Sequence, residues 1–471
     1  MSLRLDVVLL SGRGASLEVD ASSTIDALKQ RAQRELGVAP GTLVTSAGVE
    51  VKGQATLAAA GLQHGDLLSL HTKRVQVASS RTGGFSAILG DGSVACWVSR
   101  SCEDCSAVQE QLHSVQQIQA SDCAFAAICS DGRVVTWGNP AYGGDSSAVQ
   151  EQLQNVTHVQ ASARAFAALR GDGRVVTWGP WRWGGDSSAV KEQLQDVQQI
   201  QSSRGAFAAI LTDGSVVTWG SSAGGGDSSN VRMQLQDVRW IRASYAAFAA
   251  GLGDGSVVTW GIWGLGGDSS RVQEGLQDVQ EVQASHSAFA AILGNGSVVT
   301  WGDIYAGGDC SDVQEQLQDV RRIQASFRAF AAILGDGSVV TWGRALQGGD
   351  SSAVQEQLHS VQQVQASDSA FAAIRSDGRV VTWGDSSFGG DSSVAQEQLR
   401  DVVHVQASER AFAALLGDGR VVTWGHPDSG GDSRAVQEQL RDVQQLQAMS
   451  SAFLAVCATG GILTWGKLSI E

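Results

Sequence analysis

From about residue 76 onward the apolar positions recur in a fixed order: a short run with apolar residues three apart, a wholly apolar run, and a run ending on tryptophan. In residues 358–400, Val361 to Ser367 (VQQVQAS) reads as a first strand, Ala370 to Arg375 (AFAAIR) as a second and Arg379 to Trp383 (RVVTW) as a third. The second run is apolar on both faces, which predicts a strand buried on both sides. Its alanines let neighbouring sheets approach, while the phenylalanine and tryptophan fill the gaps. Ser376-Asp377-Gly378 predicts a hairpin turn in which glycine supplies a positive φ, and most other units carry Gly-Asp-Gly there. Trp97, Trp137, Trp178, Trp219, Trp260, Trp301, Trp342, Trp383, Trp424 and Trp465 set the ruler, with one interval of 40 residues and eight of 41. So few insertions mean that each unit occupies an equivalent place.

After each Trp-Gly come four variable residues, then Gly-Gly-Asp-Ser-Ser, followed by AVQEQL. Ser147 with Gln150 fits a capping box, and Val149 and Leu153 stand i, i+4, so a short helix held by packing is expected. Three antiparallel strands and a connector suit a β-propeller blade or a step of a β-rich solenoid. About nine or ten units leave a large ring, two rings or an open superhelix as alternatives.

Residues 1–74 do not follow the repeat. Leu5 to Leu10 and Ala15 to Asp20 read as a hairpin, and Ser22-Ser23-Thr24 supplies an N-cap for a helix from Ile25 to Leu36. Short strands follow at Leu43 to Thr45 and Leu67 to His71, giving an α+β roll. The next domain, 75–471, starts with almost no linker, because Val75 to Ser79 already reads as a first strand.

Two resemblances sharpen this. The run G-x-V-x-x-W-G, a variable loop, a Gly-rich step and V-x-x-I-x-A-S-x-x-x-F-A resembles repeats of the regulator of chromosome condensation superfamily. The short period is most similar to the beta-lactamase inhibitory protein branch, with its three-stranded blades. This implies an all-β propeller over residues 75–471. Leu17-Glu18-Val19, Ser23-Thr24-Ile25, Gly37 to Pro40, Ala47-Gly48, Thr56-Leu57 and Gly61-Leu62 resemble ubiquitin-like domains in order and spacing. Residues 1–74 depart from that family in two ways. Lys73-Arg74-Val75 replaces a Gly-Gly terminus, and the recognition patch would fall on Leu10, Thr45 and His71, of which only Leu10 is apolar.

The net charge is −15, with 8 basic and 7 acidic residues in 1–74 against 25 and 41 in the remainder. Such an acidic array repels phosphate backbones, so nucleic acid is not an expected partner. No apolar stretch is long enough for a transmembrane helix and the chain opens directly into a strand. The expectation is a soluble monomer, cytoplasmic or nuclear, with no membrane partner. Seven cysteines, an odd number, suggest reduced thiols. Cys96 takes the usual threonine site and Cys129 the usual leucine site. A metal site drawing on Cys96, Cys102, Cys105, Cys123 and Cys129 would need a ligand set that a lone C-x-x-C does not supply.

The recurring tryptophans read as packing. The aspartates of Gly-Gly-Asp (Asp145, Asp186, Asp227, Asp268, Asp309, Asp350, Asp391 and Asp432) read as turn chemistry in preference to a cation ring. The histidines are scattered and no nucleophile–base pattern appears, so no catalytic residue, cofactor or metal is expected. What escapes the repeat are two slots per unit: the four residues after the Trp-Gly and the pair before Ala-Phe. They hold Tyr142, Trp181, Trp183, Tyr245, Trp263, Tyr305, Phe327 and Phe388, with Arg164, Arg182, Arg204, Arg328 and Arg344, and Trp240 lies nearby on a first strand. Aromatics and arginines on an otherwise Ser/Gly/Gln surface have the composition of binding hot spots, and equivalent slots should emerge on one rim.

The reading is a non-enzymatic scaffold that binds a protein partner through Tyr142, Trp181, Arg182, Trp183, Arg204, Tyr245, Trp263, Tyr305, Phe327, Arg328 and Arg344. The resemblances add an adaptor role towards ubiquitin-pathway components, because such repeats also occur in HECT-type ubiquitin ligases. The sequence after Trp465 holds no such catalytic domain. Guanine-nucleotide exchange on a small GTPase, the superfamily's founding activity, relies on inter-blade insertions that the 41-residue period lacks. Enzyme inhibition by the rim is a further alternative.

Overall fold

The computed structural model describes residues 2–9, 14–36, 41–46, 49–51, 53, 55–72, 75–81, 84–97, 104–458 and 461–467. Cys102 and Leu10, singled out above, lie outside them. In the N-terminal part, β1 (Ser2–Leu9), β2 (Gly14–Asp20), β3 (Gly41–Thr45), β4 (Glu50–Val51) and β5 (Leu67–Thr72) form one sheet in the order β2-β1-β5-β3-β4. β1 and β5 run parallel through its centre. The alternation Leu3, Leu5, Val7 aims one face of β1 inward, where helix α1 (Ile25–Leu36) covers it with Ile25, Leu28, Ala32 and Leu36. Thr24 opens that helix as expected, its Oγ1 accepting from the Ala27 amide at 3.2 Å.

The described residues from 76 on form ten three-stranded antiparallel sheets, here units 1 to 10, from Gln76–Ser79, Phe85–Ile88 and Val94–Trp97 to Val443–Ala448, Ala452–Cys457 and Ile462–Gly466. The middle strand is the second one, and it is buried on both faces, as Ala124–Cys129 illustrates throughout its length. Apolar residues three apart in the first strand do not fit a period of two. A β-bulge resolves this: in unit 3 the register shifts between Val156 and His158, so Val156 and Val159 both turn to the core.

In every unit the second-strand phenylalanine stacks on the third-strand tryptophan, with ring centroids 4.7–5.6 Å apart. From Trp178 to Trp465 each indole Nε1 donates to a glycine carbonyl of the preceding unit's rim loop at 3.0–3.1 Å. The tryptophan therefore fills the gap between sheets and pins two units together. The Gly-Gly step explains itself by space: a Cβ on Gly144 would lie 2.1 Å from the Gly138 carbonyl oxygen. The eight aspartates that follow each accept from the amide two residues on, Asp145 from Ser147 and Asp391 from Ser393 among them, as turn chemistry requires.

The connector differs from the expected capping-box helix. Ser147–Gln152 is a 3-10 helix whose N-cap is Ser146, without a side-chain cap bond. Gln150 instead donates to Val134 O at 3.0 Å, tying the connector to the third strand. The tie makes packing, rather than capping, the stabilising element.

Beside it runs a hydrogen-bonded clasp between a third-strand threonine and the connector serine. Thr136–Ser146, Thr177–Ser187, Thr218–Ser228, Thr259–Ser269, Thr341–Ser351, Thr382–Ser392 and Thr423–Ser433 are joined at 2.9–3.1 Å. In unit 1 the same two positions are Cys96 and Cys105, and their sulfurs form a disulfide. Cys123 is disulfide-bonded as well, while Cys129, Cys310 and Cys457 are buried free thiols. The expectation of uniformly reduced thiols is thus corrected. The spacing of the Thr–Ser clasp brings two sulfurs within bonding reach once both residues are cysteine. No cluster of three potential metal ligands occurs among the described residues.

Unit 6 holds a half-converted clasp, Thr300 facing Cys310, whose thiol burial pushes up. Thr300→Cys is expected to oxidise spontaneously with Cys310, joining the two peptides in a non-reducing map. Two fully alkylatable thiols would contradict the clasp geometry.

The array closes on itself. Ala452, Leu454 and Val456 of unit 10 share a core with Val75, Phe85 and Ala87 of unit 1, the arrangement that successive units use elsewhere. Val75 N donates to Gln445 Oε1 at 2.9 Å, Val77 N to Gln447 Oε1 at 3.2 Å and Ser450 Oγ to Ser80 O at 2.8 Å.

Candidate partner-binding rim and axial mouth

The four residues after each tryptophan-glycine pair do not all emerge together. They form a 3-10 turn that ends on a left-handed glycine, as in Trp181–Trp183 before Gly184 and Ile304–Ala306 before Gly307. The serine closing the first strand reaches the fourth residue's carbonyl: Ser162 Oγ donates to Trp183 O at 2.8 Å and Ser326 Oγ to Gln347 O at 3.0 Å. That bond turns the fourth residue inward and leaves the second and third on an outer crest. Trp181 is 66% exposed, Trp263 66%, Tyr305 71% and Leu346 74%, an unusual exposure for such side chains. Arg182 packs its guanidinium 5.0 Å from the Trp181 ring, and Trp263 donates its Nε1 to Asp268.

Between these crests run grooves. A cavity of about 590 Å³ is bounded by Ile304, Tyr305, Arg328, Arg344 and Ala345. A longer one, about 1180 Å³, follows Val298 to Gly302 between Trp263 and Ile304.

The pair before Ala-Phe also splits. Its second member, such as Arg164, Arg328 or Arg410, lies beneath the crest. Its first member builds a ladder around the inside of the circuit. Backbone N–H groups donate from Asp122 to Ala163, then in steps to Arg204, Tyr245, His286, Phe327, Asp368, Glu409 and Ser450, at 2.8–3.0 Å. In a closed array these positions converge, and one cavity of about 520 Å³ is lined by Arg81 of unit 1 together with Tyr245, His286, Phe327, Asp368, Glu409 and Ser450. This is the axial mouth.

Crest and mouth are joined on one side by alternating cations and rings. Arg164 lies 4.5 Å from the Tyr142 ring and 5.0 Å from Trp183, and Arg204 5.9 Å from Trp183 and 5.0 Å from Tyr245. Tyr245, His286 and Phe327 then follow with centroids 4.2 Å apart, and Arg328 stands 5.8 Å from Phe327. Arg204 is fixed by an ion pair with Asp122 at 3.6 Å.

The single rim expected from sequence therefore becomes two surfaces. Trp181, Arg182, Trp263, Tyr305 and Arg344 belong to the crest, while Tyr142, Trp183, Arg204, Tyr245, Phe327 and Arg328 belong to the inner chain. Arg81, His286, Asp368 and Glu409 were missed. Their common signal is position, since they directly follow the equivalent serines Ser80, Ser285, Ser367 and Ser408, a column that composition alone does not flag. Trp240, also set aside by sequence, packs on its own sheet, where Gly251 replaces the usual isoleucine because a Cβ there would lie 2.1 Å from the indole.

Burial and the nearby Arg328, Arg81 and Arg204 hold the His286 imidazole below its ordinary pKa, with Asp303 opposing. The ring is neutral at pH 7. Burial pushes the Asp368 carboxyl up, against Arg81 and Arg410, and burial with the Asp368 charge does the same to Glu409.

Residues 361–389 match the family model described as the Regulator of chromosome condensation (RCC1) repeat. The matched stretch is the three strands and rim turn of unit 8, and the other sheets copy that plan, supporting an RCC1-like repeat array. No curated protein matches the chain. Among solved structures it is similar to the CRINKLY WD40 ectodomain of the Arabidopsis thaliana receptor kinase ACR4, at 16% identity over 57% of this chain and 97% of that one, with a TM-score of 0.33. It is also similar to Prp20p from Saccharomyces cerevisiae, described with its binding to Gsp1p and histones, at 14% identity over 59% and 82%, TM-score 0.34. A third is the Physcomitrella patens receptor kinase CR4 ectodomain, at 16% identity over 57% and 73%, TM-score 0.35.

Proposed function

We propose that the chain is a non-enzymatic protein-interaction scaffold that grips a protein partner across the crests of units 3, 5, 6 and 7. The observation that carries this reading is the exposure of Trp263, Tyr305 and Leu346 on three successive rim turns, with Trp181 exposed two units before them. Large apolar side chains left in water at equivalent places, with arginines beside them and grooves between, suit a desolvated contact. We further propose that residues 1–74 are a ubiquitin-like module coupling the array to ubiquitin-pathway components. The strand order β2-β1-β5-β3-β4 around one helix supports that reading.

The combined substitution of Trp181, Trp263 and Tyr305 by alanine tests it. With the melting transition unchanged, recovery of partners by proximity labelling should fall at least about tenfold, as loss of two or more hot-spot residues implies. A control that substitutes the exposed Met233 and Val394, which lie on connectors, should leave the labelled set intact. Equal recovery by the two variants would refute the crest as the binding surface.

A further inference from the structure

We propose that the axial mouth receives one ammonium or guanidinium group carried on an apolar stem, presented by a lysine or arginine side chain of the partner. This deepens the scaffold reading and rests on it, because it names chemistry for a surface the crest does not include.

The argument starts from what is already occupied. The backbone amides of Tyr245, His286, Phe327, Asp368 and Glu409 are spent on the ladder, each donating to the next carbonyl. Four serine hydroxyls of the cavity wall are spent too: Ser285, Ser326, Ser367 and Ser408 donate to the rim carbonyls of Ala306, Gln347, Phe388 and Ser429. Along this arc of described residues no nest of N–H groups remains for an anion. The Asp368 and Glu409 carboxylates, half-buried side by side, make no side-chain hydrogen bond and no ion pair within 4.0 Å with a described residue.

Ionised carboxylates only accept, so a ligand that satisfies them must bring donors. The charges facing the cavity decide its sign. Arg81 stands exposed at the opening, while Arg204 is held by Asp122, Arg328 lies against Phe327 and Arg410 lies 4.7 Å from Phe388. The charges of Arg81 and Arg410 both bear on the two carboxyls, but neither guanidinium reaches a carboxylate oxygen, so the hydrogen-bonding capacity of the pair is left for a ligand. Next to this pair stand Tyr245, His286 and Phe327, a continuous aromatic wall that favours a cation's polarised methylenes and, through the ring faces, the charge itself. A bare metal ion would use the carboxylates but not the rings. An apolar side chain would use the rings but leave the carboxylates buried and unmatched.

The full chain is titrated with Nα-acetyl-lysine methylamide, Nα-acetyl-norleucine methylamide and Nα-acetyl-glutamate methylamide, followed by saturation-transfer NMR. The lysine derivative should saturate with a Kd at or below about 10 mM, and the other two should not. Asp368→Asn with Glu409→Gln should weaken lysine binding at least about tenfold. Phe327→Leu, which keeps both carboxylates, should weaken it severalfold, so the result does not hang on one variant.

A short Gly-Ser peptide bearing a single lysine should bind more tightly than butylamine. Tighter butylamine binding would point to a free small amine and overturn the assignment to a protein side chain. Equal binding of norleucine, preferred binding of the glutamate derivative, or no saturation by lysine would overturn the site. The crest variant lacking Trp181, Trp263 and Tyr305 should still bind the lysine derivative. Intact partner recovery together with a silent mouth would leave the crest reading standing while this one falls.

Discussion

Gly185→Ala is expected to strip most of the stability from the array, whereas Gly264→Ala should leave it unchanged or slightly raised. The two residues are both glycines of the rim, and only their surroundings differ. A Cβ on Gly185 would lie 2.0 Å from the Gly179 carbonyl oxygen and 2.4 Å from its carbon. Both atoms are backbone, so no rotamer change relieves the overlap, and the rim loop must leave the bend below it. Moving that loop also disturbs Gly184, whose carbonyl receives the Trp219 indole. The cost should reach about 4 kcal/mol or more, the range reserved for steric failure in a packed interior. Around Gly264 nothing lies within 4 Å, and its φ is not left-handed. There alanine only restricts the unfolded chain, a gain of at most about 1 kcal/mol. Denaturant titration of the two variants side by side measures the difference, and near-equal midpoints would show that the Gly-Gly step is not sterically required.

The second large effect is expected at Trp260. Its ring stacks on Phe248 with centroids 5.2 Å apart, and its Nε1 reaches Gly225 O at 3.0 Å in the previous unit's rim loop. Trp260 belongs to a core that draws Ala206, Ala208 and Ile210 from unit 4 and Ile241, Phe248 and Val258 from unit 5. Trp260→Ala should therefore cost about 3–5 kcal/mol, the range for a buried large aromatic. Trp260→Phe keeps the stack and loses mainly the indole bond, which should cost about 1–2 kcal/mol. Because the ring spans two units, amide exchange should rise in Ala206–Gly220 as well as in Ala247–Gly261. Exchange confined to unit 5 would mean that the tryptophan fills space without joining units.

Much of this was legible in the sequence, for physical reasons that can be named. The all-apolar AFAA run could only be a strand covered on both faces, and Asp-Gly could only close a tight hairpin. Thr24 and the Ile25, Leu28 and Ala32 spacing fixed the helix of the N-terminal part. What stayed hidden depends on distance along the chain. The connector was misread because a capping box and a glutamine that reaches back to Val134 look alike in sequence. The disulfide was missed because Cys96 and Cys105 reveal themselves only once the Thr–Ser clasp of the other units is seen. Trp181, Trp263 and Tyr305 were singled out because aromatics stand out against serine and glycine, whereas Leu346 on the same crest was not. Asp368, Glu409 and Arg81 were not, because charged residues in a loop look ordinary until closure gathers them at one opening.

Closure is thus the claim on which the mouth depends, and a distance between the first and last units tests it. Spin labels introduced as unnatural amino acids at Gln76 and Gln445 leave the native cysteines untouched. Pulsed EPR should return a separation close to that of the equivalent pair Gln117 and His158, one unit apart, because units 10 and 1 share a core across which Val75 N reaches Gln445. A Gln76–Gln445 distance well beyond that of the neighbouring pair would mean an open superhelix, with no axial mouth to bind anything.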